Sequence, residues 1–301
     1  MLLPGKVMFT AFMFFVLLNG IGVRSQDTSL INSMRIIAKD ADGIVGISVL
    51  YPERNSSISL LGDDHLPMQS VFKLPLAMKI LHDVDRGQLS LDSKIHIDKA
   101  DWIAGTWSPM RDQYNSQTVD ISLREILRFT VSASDNNGCD ILFRLAGGPS
   151  MVNDYIHLLG IKDISIVATE AEMAMKWDVQ YENWSTPNAM VALLRLFLDH
   201  EVLTPPSKEL LLQFLRATST GRNRIKGLLP PGTVVAHKTG TSNTNEDGVT
   251  AATNDIGIIF LPSGSHIILV IYIRDSRADE KTRERVIARI SSIIWAKQNS
   301  H

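Results

Sequence analysis

Ser70 and Lys73 stand three residues apart in the run Ser70-Val71-Phe72-Lys73. Three residues is nearly one helical turn, so the two side chains share a helix face. Pro67 and Gln69 precede the apolar run, which places Ser70 at a helix N-terminus. There its hydroxyl sits near free N–H groups and the positive end of the helix dipole. A neutral amine beside a serine can take its proton and make the hydroxyl a nucleophile. The pattern is short enough to recur by chance, and Pro75 within the same run predicts a local kink.

Two further clusters could join that pair. Ser134-Asp135-Asn136 interrupts an apolar segment just before another helix, so it sits on a tight turn. Alone it reads as a helix N-cap. Lys238-Thr239-Gly240-Thr241 ends the β-rich run Val234-Val235-Ala236-His237. Alone it reads as a charged strand end. A strand ending in glycine also lets another backbone approach closely, as in antiparallel addition of a ligand.

The elements that must position these clusters change character twice. Ser29–Ala41 has helical spacing. Ile44–Tyr51 reads as a strand, with Ser57–Leu61 as its hairpin partner. Helical signals then dominate to Leu215, over 71–83, 123–131, 140–146, 150–159, 187–199 and 206–216. Strand signals return at 233–238, 255–261 and 266–274, and 278–297 closes with a helical pattern. The economical architecture is a sheet completed by both ends of the chain, with a helical region inserted between.

Composition narrows the function. The chain has 301 residues, 30 Lys+Arg, 32 Asp+Glu and a net charge of −2. That balance gives no electrostatic footprint for nucleic acid. The single cysteine, Cys139, excludes an internal disulfide framework and any thiolate metal site. It is expected as a buried, inert thiol. The eight histidines form no His-Glu-x-x-His pattern, so no metal is expected; His65 and His237 read as structural. No phosphate loop or dinucleotide fingerprint occurs, and no cofactor is implied. Residues 1–25 combine Lys6, an apolar stretch over 7–18 and small residues near Val23-Arg24-Ser25. That is the pattern of a secretory signal peptide, with Gln26 as the mature start. The stretch is short for a membrane anchor. A mature chain without membrane attachment, exported to the periplasm, is expected.

Ser-x-x-Lys, then Ser-Asp-Asn 64 residues later, then Lys-Thr-Gly 104 residues after that, resembles the class A serine β-lactamases. The resemblance spans the mature chain. It implies an α+β fold: an antiparallel five-stranded sheet with terminal helices packed on it, an inserted all-helical subdomain, and the active site between them. The expected division is 26–66 with 217–301, and 67–216. The family also carries a Glu on a loop between the second and third motifs. Glu170 takes that position in Glu170-Ala171-Glu172-Met173-Ala174, with Glu172 as the fallback.

The same stretch departs from the family pattern. Ala174 stands where the family has an Asn that helps hold water. Ala168 and Asn183 stand where an Arg–Asp pair commonly clamps the loop, so that clamp is expected to be absent. Asp140 replaces an Asn four residues after the second motif. These departures resemble the branch that includes many cephalosporinases and extended-spectrum enzymes.

The resemblance implies roles. Ser70 is the nucleophile, and Lys73 or Glu170 activates it. Ser134 passes a proton to the leaving nitrogen. Glu170 activates the water that releases the product. Asn136 binds the substrate's side-chain amide. Lys238, Thr239 and Arg224 hold its carboxylate, with a solvated surface charge as the lesser reading of Arg224. Gly240 completes the strand motif, and the backbone N–H groups of Ser70 and Thr241 bind the oxyanion. Trp107 falls where the family has an aromatic at the cleft mouth. The partner is a small β-lactam; a monomer and a preference for cephalosporins are expected. The rivals are a penicillin-binding transpeptidase or carboxypeptidase and a non-hydrolytic β-lactam sensor. Both lack the deacylating carboxylate, so Glu170 discriminates against them.

Overall fold

The computed structural model describes residues 28–199 and 201–298. The expected signal peptide lies outside the described residues. The chain opens with α1 (Thr28–Ala38), β1 (Ile44–Tyr51), β2 (Ser56–Leu60) and the short β3 (Leu66–Pro67). A 3₁₀ turn over Gln69–Phe72 leads into α2 (Lys73–Asp85). Then follow β4 (Lys94–Ile97), α3 (Pro109–Gln113), β5 (Val119–Ser122), α4 (Leu123–Ser132), α5 (Asn136–Ala146) and α6 (Pro149–Leu158). Next come β6 (Ile164–Ser165), α7 (Glu170–Met175), β7 (Trp184–Ser185), α8 (Pro187–Asp199) and α9 (Pro205–Arg216). The chain returns to the sheet with β8 (Val234–Thr241), β9 (Thr250–Phe260) and β10 (His266–Ser276), and ends with α10 (Glu280–Gln298).

The main sheet is five-stranded and antiparallel, in the order β2-β1-β10-β9-β8. Both of its faces are covered, so its inner strands read as continuous apolar runs and not as alternation. The period of two still sorts the side chains. Ile267, Leu269, Ile271 and Ile273 of β10 join one core with Met34 of α1 and Ile287 and Ile290 of α10. Ile268, Val270 and Tyr272 join the other core, which runs through α2, α4, α5 and α8. The terminal helices thus pack on one face and the helical body on the other.

α2 is buried nearly all round, with Leu74, Leu76, Ala77, Met78, Ile80 and Leu81 fully enclosed. A helix apolar on every side belongs at the centre of a body. Pro75 needs no kink. It is the third residue of α2, in a first turn whose N–H groups lack helical acceptors. β3, β7 and β6 form a small ladder, Leu66↔Ser185, Pro67↔Trp184 and Ile164↔Ser185. That ladder closes the neck of the loop over 166–183. It also sets the loop beside the segment that leads into Ser70.

Candidate active site

Lys73 Nζ lies at the centre of the site and is fully buried. It reaches Ser70 Oγ at 2.9 Å, the Ser134 carbonyl at 2.9 Å, Asn136 Oδ1 at 2.6 Å and Glu170 Oε1 at 2.8 Å. An ammonium has three protons, so four oxygens at these distances compete for them. Ser70 Oγ is also 3.3 Å from Glu170 Oε1. Serine, lysine and carboxylate therefore form a closed triangle: Glu170 can take the hydroxyl proton directly, and Lys73 can take it once it has passed a proton to Glu170.

Lys238 is the second buried lysine. It donates to Ser134 Oγ at 2.8 Å and to the Thr239 carbonyl at 3.0 Å. Burial, and then the charge of Lys73, hold its pKa well below the usual lysine range. Ser134 thus faces one lysine with its carbonyl and the other with its hydroxyl. It does so from a left-handed backbone, φ 58°. The turn is held by Asp135, which caps α5 through the Gly138 N–H and accepts from Ser108 and the Met110 N–H. The N-cap reading of this motif holds for Asp135, while its neighbours on either side face the cleft.

Glu170 opens α7, where Thr169 and Glu172 form a capping box. The Glu172 carboxylate accepts from the Thr169 N–H at 2.8 Å. Glu172 is therefore turned away from Ser70, and Glu170 is the carboxylate that reaches it. The Thr-x-x-Glu spacing that signals this cap was present in the sequence.

No Arg–Asp pair holds the loop, and an amide clamps it instead. The Asn183 carboxamide is fully buried. Its oxygen accepts the Val167 and Ala168 N–H groups at 2.8 and 2.9 Å, and its nitrogen donates to the Ala168 carbonyl at 2.7 Å. An amide bonded to backbone does what a charged pair of side chains would do. Asp140, also expected as a mere departure, accepts the backbone N–H of Glu170 and of Ala171. Burial pushes its carboxyl up to about 6.

Arg224 is not a solvated charge: it is 3% exposed. It pairs with Glu284 at 3.1 Å, and it donates to the Gly240 and Asn254 carbonyls and to Thr241 Oγ1. The fork holds the end of β8 and brings positive charge to the strand that carries Lys238. Gly240 lets a backbone approach, but that backbone is the protein's own: a Cβ there would lie 2.3 Å from the Met68 carbonyl.

The cleft above these groups has a volume of about 470 Å³ and is lined by Ser70, Ser134, Asn136, Glu170, Thr239 and Thr241. Trp107, 61% exposed, stands at its mouth and donates to the Ala133 carbonyl. Asn136 Nδ2 donates to Thr106 Oγ1 at 2.6 Å and keeps one proton free. Sequence reasoning missed further lining and supporting side chains, among them the following. Thr220 meets Thr239 Oγ1 at 2.5 Å, Trp177 lines the loop side, and Gln69 donates to Gln180 at 2.7 Å. No local pattern marks any of them. Cys139 is buried, which raises its thiol pKa. His237 is buried against Asp255, and His65 stacks on Trp184. Among the described residues no cluster of His, Cys, Asp and Glu could hold a metal ion, and no helix is long and apolar enough to cross a membrane.

A sheet-and-helix enzyme with a serine, two lysines and a carboxylate at one cleft is built for acyl transfer. The model of the Beta-lactamase enzyme family matches residues 29–298. The extended-spectrum β-lactamase PER-1 of Pseudomonas aeruginosa is 40% identical over 260 residues, covering 86% of this chain and 83% of that protein. A β-lactamase structure from Chitinophaga pinensis is 47% identical, with a TM-score of 0.88, covering 90% of this chain and all of that one. A class A β-lactamase structure from Bacteroides cellulosilyticus is 34% identical, with a TM-score of 0.88, covering 92% of this chain and all of that one. The chain belongs to the β-lactamase family, in class A. It is a β-lactam hydrolase.

Proposed function

We propose that this enzyme opens the β-lactam ring through a Ser70 acyl-enzyme, that it prefers cephalosporins, and that it works in the periplasm after removal of residues 1–25. The observation that carries the mechanism is the triangle of Ser70 Oγ, Lys73 Nζ and Glu170 Oε1, with sides of 2.9, 2.8 and 3.3 Å. Ser70 Oγ attacks the ring carbonyl while its proton passes to Lys73 or Glu170. The C–N bond breaks, and Ser134, held by Lys238, gives its proton to the ring nitrogen and is reprotonated with the proton taken from Ser70. Asn136 takes the side-chain amide of the substrate. Thr239, Lys238 and Arg224 provide the positive, hydroxyl-lined end of the cleft for its carboxylate. Glu170, again a carboxylate, then draws a proton from water, which attacks the ester; the C–O bond to Ser70 breaks and that proton returns to Ser70 Oγ.

Cephalosporin preference is supported by Thr241-Ser242 after the Lys-Thr-Gly motif and by the likeness to an extended-spectrum relative. Export is supported by the composition of residues 1–25. The test is hydrolysis of a chromogenic cephalosporin by purified residues 26–301 beside Glu170→Gln. The expected result is sustained turnover by the parent and a stoichiometric burst, then stalling, in the variant. A parent that itself stalls after one equivalent would sink the hydrolytic mechanism. Benzylpenicillin turned over with a kcat/KM well above every cephalosporin would remove the preference.

A further inference from the structure

Asn254 lies in the middle of β9, fully buried, opposite Gly240 on β8 and Tyr272 on β10. Its carboxamide points out of the sheet toward the segment that leads into Ser70. Nδ2 donates to the Pro67 carbonyl at 2.7 Å and to the Met68 carbonyl at 3.1 Å. Oδ1 accepts the Ile273 N–H of β10 at 3.2 Å. Both amide protons are thus spent on the nucleophile's segment, and the oxygen is spent on the sheet. The backbone carbonyl of Asn254 accepts Arg224 Nη1 at 3.0 Å, and the same nitrogen reaches the Gly240 carbonyl.

These bonds converge where two parts of the chain must keep a fixed spacing. The Met68 carbonyl occupies the space that a Cβ on Gly240 would need. On its other side the Met68 N–H donates to the Asn183 carbonyl at 2.9 Å. Met68 is therefore held on one side by the Glu170 loop and on the other by Asn254. Two residues on is Ser70, reached through Gln69 in a left-handed conformation, φ 49°. One residue beyond Gly240 is Thr241.

We propose that Asn254 is a positioning residue that sets the gap between the Ser70 and Thr241 N–H groups. This rests on the reading above, in which those two groups bind the oxyanion. The two donors come from different parts of the chain, and the Asn254 carboxamide ties one part to the other. No similar side chain replaces it. Leucine would bury two carbonyls without donors, and aspartate would set a carboxylate against them. Oxyanion donors act on charge that develops in the transition state, so a small widening costs rate and not substrate binding.

The test is Asn254→Ala and the milder Asn254→Ser, each alone and in the Glu170→Gln background, where acyl-enzyme accumulates. Ser48→Ala serves as control; Ser48 is a buried sheet residue bonded to Asn188 and outside the cleft. The expected result is a fall in acylation rate of about 10- to 100-fold, with the dissociation constant of the complex before acylation nearly unchanged. The infrared band of the ester carbonyl should move to higher frequency, reporting weaker hydrogen bonds to its oxygen. Ser48→Ala should lower Tm without moving that band. Asn254 variants that fold, lose Tm like the control and keep both the acylation rate and the band position would overturn the proposal. If Glu170→Gln with Asn254 intact forms no acyl-enzyme, the Ser70 reading falls first, and this inference falls with it.

Discussion

The Asp140 carboxylate accepts the backbone N–H of Glu170 at 2.8 Å and that of Ala171 at 2.9 Å. The first turn of α7 is thereby bound to α5, the helix that begins with Asn136. A carboxylate at a helix N-terminus meets free donors and the positive end of the dipole. Asp140→Ala removes two charge-assisted bonds and frees Glu170, the proposed base, from its support. We expect a loss of about 2 to 3 kcal/mol of stability. Turnover should slow by roughly 10-fold or more, with deacylation hit harder than acylation. Urea denaturation and single-turnover kinetics check the two parts.

Asp140 also makes a pH signature. Burial raises its carboxyl from the ordinary 3.8 to about 6, so the folded protein binds this proton more tightly than the unfolded chain. The stability this group contributes is full below about pH 4 and is lost as pH rises through about 6. Set against Asp140→Asn, which cannot titrate there, the parent should lose up to about 3 kcal/mol across that window. Activity runs the other way, because only the carboxylate can accept both N–H groups. The parent should show an acid limb in turnover near pH 6 that Asp140→Asn lacks. Paired denaturation and rate profiles from about pH 4 to 8 test both signs, and parallel profiles would refute the assignment.

Asn183 closes the same loop from its other end. Asn183→Ala leaves the Val167 and Ala168 N–H groups and the Ala168 carbonyl without their partner. Unsatisfied buried groups cost about 1–3 kcal/mol each, less whatever water repairs. We expect a loss of about 3 kcal/mol, a Tm lower by roughly 6–12 °C and faster proteolytic nicking within 166–183. Asn183→Asp keeps the acceptor and loses the donor, so its Tm should fall between the two. A protease time course with mapped cleavage sites distinguishes loop opening from global unfolding.

Asp140 and Asn183 also mark how far the sequence could be read. The helix over 187–199 and the strands flanking Tyr51 and Ile271 carried their own periodicity, so their places were legible within a few residues. β9 begins earlier than expected, at Thr250, because Thr250-Ala-Ala-Thr-Asn has little apolar signal and is held by its pairing with β10. The site motifs were legible because local spacing alone puts Ser70 beside Lys73. The supports were not. Asp140 meets a backbone 30 residues away and Asn254 one 187 residues away, and their acceptors and donors are main-chain groups with no sequence identity. A departure from a family pattern shows that one contact is missing, not which other contact replaces it.

Arg224 predicts a split in the kinetic constants. In the proposed reading its charge acts on the substrate carboxylate from behind the end of β8, through the strand it holds, and not on the carbonyl under attack. Arg224→Ala should raise KM for anionic β-lactams about 10- to 100-fold and lower kcat much less. Arg224→Lys restores charge but not the fork to the Gly240 and Asn254 carbonyls, so it should recover only part of the loss. A substrate esterified at its carboxylate should show little difference among the three proteins. Equal losses with the ester would mean that Arg224 acts only through the shape of β8.

Gly240→Ala tests the packing between the strand and the segment that leads into Ser70. The new Cβ would fall 2.3 Å from the Met68 carbonyl and 3.2 Å from Gln69 Cβ. The first obstacle is backbone, so one of the two segments must move. Moving β8 outward carries Thr241 away from Ser70; moving Met68 inward breaks its bond to Asn254. Either way the acylation rate should fall by about 10²-fold or more, the scale of one lost oxyanion donor. Trp107 is held by the Ala133 carbonyl and by neither moving segment, so binding of the substrate side chain should persist. Stopped-flow acylation against a slow substrate separates the two, and an unchanged acylation rate would mean that the approach of Met68 to the strand does not matter to catalysis.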